Sequence, residues 1–347
     1  VILVCGGTSE ERRVSVASAQ HVAAVCSLAT VWFIAPTGAV HVCSADLVRA
    51  HERPFETDFD PGSEATFAGI CSALDAARAD EVFFLALHGG DGENGVIQHH
   101  LEDRGLAFTG SGSAASELAF DKARSKGVMA AAGARTPRSS VLRGDSQAVA
   151  RELSVLFRER GRLVIKPVAS GSSIGLHHVS SVETIAAIAD DMATTSVPFL
   201  AEDFVRGTEL TVGVVEQKDR PPVALPVSEI RLSGENASFD YQGKYLGRGS
   251  VEITPAQIAP ALAQEAQTIA LLAHQRIGCE GYSRTDLIAS ADGVYFLEIN
   301  TLPGLTRASF IPQQLTAMGR SMDEFVADQV ELAKARGPGK GRTGQRG

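Results

Sequence analysis

The chain has 347 residues and carries 32 Lys+Arg against 41 Asp+Glu, for a formal charge of −9. A chain of that length forms two or three domains with clefts between them. The acidic balance excludes broad nucleic-acid binding, which needs basic stripes to neutralise phosphates, so any anionic ligand must be held by local features.

In chain order, residues 1–110 alternate short apolar runs with helix-like stretches: VILVC, VSVASAQHVAAV, ATVWFIA and then FFLAL at Phe83–Leu87. Such alternation predicts a parallel α/β layer. A second unit, 111–203, has helix-like segments at Ala114–Ala132 and Ser146–Arg160 before the strand-like RLVIKP and FLAEDFV. A third, 204–332, has strand-like ELTVGVV, VALPVSEI and GVYFLEIN around a helix-like stretch. Both read as α+β. Residues 333–347, ending KARGPGKGRTGQRG, read as a disordered basic tail.

The most apolar stretch, His21–Val40, is broken by Ser27, Thr30, Pro36, Thr37 and Gly38, so no membrane span is expected. With no basic region before Val1–Val4, no signal peptide is expected either. Cys5, Cys26, Cys43, Cys71 and Cys279 are scattered and form no C-x-x-C pair, which predicts reduced thiols in a cytoplasm.

No G-x-x-x-x-G-K-[ST] is present. Gly110-Ser-Gly112-Ser-Ala-Ala115 fits G-x-G-x-x-A, but Asp121 follows too early for the ribose acid of a dinucleotide fold, and a tight turn into a helix is the better reading. Lys166-Pro-Val-Ala-Ser-Gly171-Ser172-Ser173-Ile-Gly175 lies between two strand-like runs. Its small residues let backbone N–H groups approach an anion, with Lys166 as a point charge; an ordinary Gly/Ser turn is the alternative.

Tyr282–Asn300 reads as two strands joined at Ala-Asp-Gly, a three-residue turn. Pairing Ser290 with Val294 then sets Ile288 opposite Phe296, Asp286 opposite Glu298 and Arg284 opposite Asn300, all on one face. Thr285, Leu287, Ala289, Tyr295, Leu297 and Ile299 make the apolar face. Opposed carboxylates repel unless something cationic lies between them. All-oxygen donors favour Mg²⁺ or Mn²⁺; an ion-pair cluster with Arg284 is the alternative. His88-Gly-Gly-Asp-Gly-Glu93-Asn-Gly95 and Gly6-Gly7-Thr8-Ser9-Glu10-Glu11 each end an apolar run, where α/β folds bind ligands. Asp240–Tyr245 lies in a long irregular stretch of the kind that forms lids and binding loops.

Taken in order, GGTSEERRVS, ALHGGDGENG, TGSG with DKARSK, VIKPVASGSSIG, AEDFVRGTEL, DYQGKY, SRTDL and LEINTLPGLT resemble the D-alanine:D-alanine ligases of the ATP-grasp superfamily, over residues 1–332. The resemblance implies an ATP-grasp architecture in which an N-terminal α/β substrate domain joins two α+β domains that clamp ATP. It implies that a D-alanine carboxylate takes the γ-phosphoryl of ATP and that the amine of a second D-alanine displaces phosphate, for peptidoglycan synthesis. It assigns Asp286, Glu298 and Asn300 to two Mg²⁺ or Mn²⁺ ions, and Lys122, Lys166, Ser172 and Ser173 to the phosphates. Glu202 with the Asp203–Val205 backbone would read adenine, and Glu209 the ribose. Glu11 would hold the first ammonium, in a hydrogen-bonded set with Ser172 and Tyr245, while Arg284 and the Gly304 amide would stabilise the tetrahedral oxyanion. His88 would lie beside the substrates, with Lys244, Ser309 and Phe310 at the second.

The chain departs from the family pattern at Asn94 (usually Asp), Asp203 (usually Lys), Gly243 (usually Ala) and Phe310 (usually Leu or Met). Phe310 and Gly243 leave open a paralogue with another second amino acid. A nucleotide-binding protein without turnover is the alternative from another class, and the retained Arg284 argues against it. Small molecules are the expected partners, with neither nucleic acid nor membrane. Dimerisation is common in the family, and no sequence feature decides it.

Overall fold

The computed structural model describes residues 1–26, 30–169, 175–195, 197–232 and 250–336. Three sheets organise them. The first contains β1 (Ile2–Gly6), β2 (Thr30–Ile34), β3 (Val40–Ser44), β4 (Val82–Leu85) and β5 (Ala107–Phe108), in the order β3-β2-β1-β4-β5. All pairings are parallel except the β2–β3 hairpin, an antiparallel edge that the expected parallel layer did not include. β1 and β4 are buried along their whole length, as apolar runs between two helical layers should be. Strand order reverses at β1, between β2 and β4, so the crevice beyond the C-terminal ends of β1 and β4 is the switch point where such sheets take ligands.

The second sheet is antiparallel, β6-β9-β7-β8, from β6 (Ser139–Leu142), β7 (Leu163–Pro167), β8 (His177–Val179) and β9 (Phe199–Asp203). Helices Ser146–Arg160 and Ile185–Met192 cover it with Leu153, Leu156, Ile188 and Met192. The third runs β13-β12-β10-β14-β15, from β10 (Thr208–Val215), β11 (Val223–Ala224, on β10), β12 (Ser228–Leu232), β13 (Ser250–Ile253), β14 (Tyr282–Ser290) and β15 (Gly293–Asn300). Helix Pro260–Ile277 backs it through a row of small residues, Ala266, Ala270 and Ala273.

Two packing results bear on the sequence-based units. The helices Ser113–Phe120 and Lys122–Ala131, read above as part of 111–203, place Ala119 and Met129 in the core of the third sheet. Residues 333–336, read as tail, complete helix Met322–Arg336, where Ala333 is buried and Arg336 donates to Gly110 O and Glu280. Phe325, Val326, Leu302, Leu305 and Tyr282 join the core of the first sheet, so the first and third sheets share one apolar interior. Among the described residues no helix is long and apolar enough to cross a membrane, and all five cysteines are free.

The β14–β15 hairpin keeps the expected register at its functional end, with Asp286 opposite Glu298 and Arg284 opposite Asn300. At the turn the register differs by one: Ser290 pairs with Gly293 and Ile288 with Tyr295, so the turn has two residues. A bulge after Asp286 takes up Leu297 and restores the pairing. The buried face therefore carries Val294 and Phe296, not Tyr295 and Leu297.

Candidate active site

One end of the site is a buried cluster of charge where the second and third sheets meet. Asp121 caps helix Lys122–Ala131 by accepting from Arg124 N–H (2.9 Å), which sets Lys122 in the first turn and Lys126 one turn on, on the same face. Lys122 Nζ lies 3.6 Å from Glu298 Oε2 of β15. From β7, Lys166 Nζ lies 3.8 Å from the same oxygen and 3.2 Å from Glu202 Oε2 of β9. Lys126, 3% exposed, reaches Glu202 Oε1 at 2.9 Å and Phe296 O at 3.4 Å. Burial pushes Lys126 down to about 8 despite the Glu202 charge. Burial alone would raise Glu202, but Lys126 and Lys166 hold it below the usual carboxylate range. Burial opposes the charge on Lys166 too, yet Glu202 and Glu298 raise it above the usual lysine range.

Next along β14, Arg284 makes a two-pronged contact with Asp286, Nε to Oδ1 at 2.9 Å and Nη2 to Oδ2 at 2.8 Å, and Thr211 Oγ1 donates to the same Oδ1 at 2.6 Å. The ion-pair reading of Asp286 with Arg284 thus coexists with the opposed carboxylates. Glu209 is half-buried on β10, two residues before Thr211 and on the same face. Asn300 Oδ1 accepts Leu302 N–H at 2.8 Å.

The other end lies at the switch point. Gly6 and Gly7 turn the chain out of β1 at φ of +87° and +119°, and a Cβ on Gly6 would collide with Ile34 O. The turn brings Glu11, buried, to the start of helix Arg12–Val25. A Cβ on Gly89 would stand 2.6 Å from Glu11 Oε2, so only glycine there leaves the carboxylate room. His88 follows β4, with Nδ1 3.7 Å from Glu93 Oε1 and Nε2 2.8 Å from Ser18 Oγ. The loop after β15 closes the gap: Leu302 N–H goes to Asn300, Leu305 N–H to Ser18 Oγ, Thr306 N–H to Ser309 Oγ, and residue 303 is proline. Among the described residues, Gly304 N–H is left without an acceptor.

Several expected residues have further partners of their own or lie outside the described residues. Ser309 Oγ is engaged by Thr306 within its own loop (2.8 Å to Oγ1), and Phe310 packs on Ile230. Asp203 turns to Arg138 (2.6 Å) and Arg160 (3.9 Å), and the N–H groups of Asp203 and Phe204 donate to Arg138 O and Arg162 O, while Val205 is half-buried. Asn94 Oδ1 accepts Val96 N–H across the turn before helix Val96–Asp103, a bond that an aspartate would also supply. Ser172, Ser173, Lys244, Tyr245 and Gly243 lie outside the described residues. The G-x-G-x-x-A helix start is already filled by Glu102, whose Oε1 accepts Ser113 N–H at 2.8 Å, as the turn reading requires. Lys126 and Ser18 were missed; the i, i+4 spacing of Lys126 from Lys122 was the available signal.

Residues 1–111 match the family model described as D-ala D-ala ligase N-terminus, and residues 146–331 the one described as D-ala D-ala ligase C-terminus. The D-alanine–D-alanine ligase of Cupriavidus necator is 38% identical over 278 residues, 79% of this chain and 80% of that one. In fold, the D-alanine-D-alanine ligase of Coxiella burnetii superposes with a TM-score of 0.78 at 22% identity, covering 96% of this chain and 93% of that one. The Bacillus anthracis D-alanine–D-alanine ligase, solved in complex with ATP, gives 0.69 at 23% identity, with 96% of each chain covered. This chain belongs to the D-alanine–D-alanine ligase family.

Proposed function

We propose that the chain is an ATP-dependent carboxylate–amine ligase that joins two D-alanines into D-alanyl-D-alanine for the cell wall. The observation that carries the reading is the pairing of two half-sites, the Lys122–Lys126–Lys166 face on Glu202 and Glu298, and the Glu11–His88–Gly304 crevice. Three lysines against two carboxylates leave the first half-site short of negative charge, which a polyphosphate supplies.

In this reading a carboxylate oxygen of the first D-alanine attacks the γ-phosphorus, the bond to ADP breaks, and an acyl phosphate forms. Lys122 and Lys166 neutralise the phosphates, Glu202 and Glu209 orient the nucleoside, and Glu11 holds the first ammonium. The amine of the second D-alanine, having lost a proton, attacks the acyl carbon, and inorganic phosphate leaves. Arg284 and the Gly304 N–H, which has no acceptor among the described residues, stabilise the oxyanion of that step. His88, fixed between Ser18 and Glu93, lines the amino-acid side. Asp286, Glu298 and Asn300 offer hard oxygen donors on one face and fit one or two Mg²⁺ or Mn²⁺ ions, which supply charge neutralisation of the phosphates when bound. Free thiols throughout agree with a cytoplasmic setting.

The test is D-alanine-dependent ADP release with ATP and Mg²⁺, the product identified by mass spectrometry and chiral analysis against a panel of L- and D-amino acids. D-alanyl-D-alanine as preferred product is expected. ADP release only with another amino acid would overturn the substrate assignment.

A further inference from the structure

Helix Arg12–Val25 starts beside Glu11 and runs under the loop that carries Gly304. Two of its side chains hold opposite ends of a single residue in that loop. Leu305 N–H donates to Ser18 Oγ at 3.1 Å, and His21 Nδ1–H donates to Leu305 O at 2.8 Å. Ser18 is fully buried, and Thr306 N–H is tied to Ser309 Oγ just beyond. Both peptide planes flanking Leu305 are therefore pinned, and the next N–H toward the chain start is that of Gly304.

Ser18 has a second task. Among the described residues its hydroxyl touches only Leu305 N and His88 Nε2. The oxygen accepts from Leu305 N–H and is hydrogen-bonded to His88 Nε2 at 2.8 Å. The other ring nitrogen, Nδ1, lies 3.7 Å from Glu93 Oε1. One hydroxyl thus couples the loop after β15 to the histidine after β4, across 287 positions of sequence on one side and 70 on the other.

We propose that Ser18, seconded by His21, is a positioning residue: it pins the 304–305 peptide, the plane next to the Pro303–Gly304 peptide that carries the Gly304 N–H, so that this amide stays aimed at the developing oxyanion, and it orients the His88 ring through Nε2. This rests on the reading of Gly304 as an oxyanion donor in the ligase reaction. A donor held off its line by about an ångström loses much of its value, because the interaction is made only in the transition state.

The experiment compares wild type with Ser18→Ala in steady-state turnover, and in inhibition by a phosphinate dipeptide analogue, whose tetrahedral phosphorus presents the oxyanion, with ATP present. Wild-type turnover with D-alanine is measured first, and its absence would overturn the ligase reading and this inference with it. With wild type active, Ser18→Ala should lower kcat by about 10- to 100-fold and weaken the phosphinate by a similar factor, with KM for ATP within about twofold. A merely structural serine would reduce the active fraction without moving the phosphinate constant, and that result would overturn the inference. Amide hydrogen exchange on the wild type supplies a check that needs no variant to fold. Leu305 N–H should exchange slowly, while Gly304 N–H exchanges fast until ATP and the phosphinate are added; equal exchange at the two positions refutes the clamp.

Discussion

Lys126→Met separates stability from function at the charged end of the site. The side chains are similar in length, and the site is 97% buried, so methionine can follow the lysine stem. Burial lowers the Lys126 pKa from 10.5 to about 8 despite the attraction of Glu202. A shift in that direction means that the charge on Lys126 costs the fold stability at neutral pH, on the order of a few kcal/mol at about 1.4 kcal/mol per pKa unit. Glu202 would keep Lys166 at 3.2 Å and so would not be abandoned. The variant should therefore melt several degrees higher at pH 7. Between pH 8 and 10.5 the unfolded chain keeps the Lys126 proton while the folded chain releases it, so wild-type stability rises with pH there and the variant's advantage fades. Turnover should move the other way, with KM for ATP rising about tenfold, because Lys166 is drawn from Glu298 toward a Glu202 that has lost one partner. Thermal melts at pH 7 and 10 beside ATP titrations of initial rate read both effects. A variant that melts lower than wild type at pH 7 with KM for ATP unchanged would refute the reasoning and make Lys126 a structural strut.

Glu298→Gln removes the charge facing Lys122 and Lys166 without changing volume, so turnover should fall at least about 100-fold while circular dichroism and Tm stay near wild type; near-normal turnover would remove Glu298 from the site. Glu216 would be raised by burial, but hydrogen bonds from His274 and Gly281 hold its carboxyl below the usual range. Its stability contribution is therefore present above the ordinary glutamate pKa and lost as pH falls through the lowered folded value; the Tm gap between wild type and Glu216→Gln should shrink across that window, and a constant gap would refute it. ATP alone, at about 100 times its Kd, should stabilise the wild type by about 2.7 kcal/mol. A melting temperature unmoved by ATP would contradict the polyphosphate assignment.

The strand pairing of the candidate site was legible because strand geometry is local: alternation alone places Arg284 and Asp286 on one face, with Glu298 and Asn300 opposite. The turn was not. Gly293 looked like the closing residue of a three-residue turn, yet it begins β15 at φ +128°, and only the bulge at Leu297 brings Glu298 back opposite Asp286. Two departures from a regular hairpin cancel over the functional pair and survive between them, which is why Phe296 and not Leu297 is buried. Lys126 lies within DKARSK, and a lysine on a helix ordinarily snorkels to water. Nothing in its neighbours says that the helix lies against Phe296 and Glu202. Ser18 is subtler still: its partners are remote in sequence, and a serine inside a helix carries no pattern of its own.

Those misses share a physical cause. Sequence periodicity reports which face of an element is dry, whereas Lys126 and Ser18 are dry and polar, the combination that periodicity treats as an exception. Such groups survive burial only when each is answered by another, as Glu202 answers Lys126 and Leu305 N–H answers Ser18. The answering groups come from different sheets: β9 for a helix packed on the third sheet, and the loop after β15 for a helix of the first. Each polar contact is therefore also a constraint on how two layers sit together. An apolar pair at either place would hold the layers together as well or better, but it would tolerate sliding. The proposed site, which would need Glu11, Gly304 and Lys166 in one geometry from three separate sheets, gains from directional contacts even where they lower the stability of the fold.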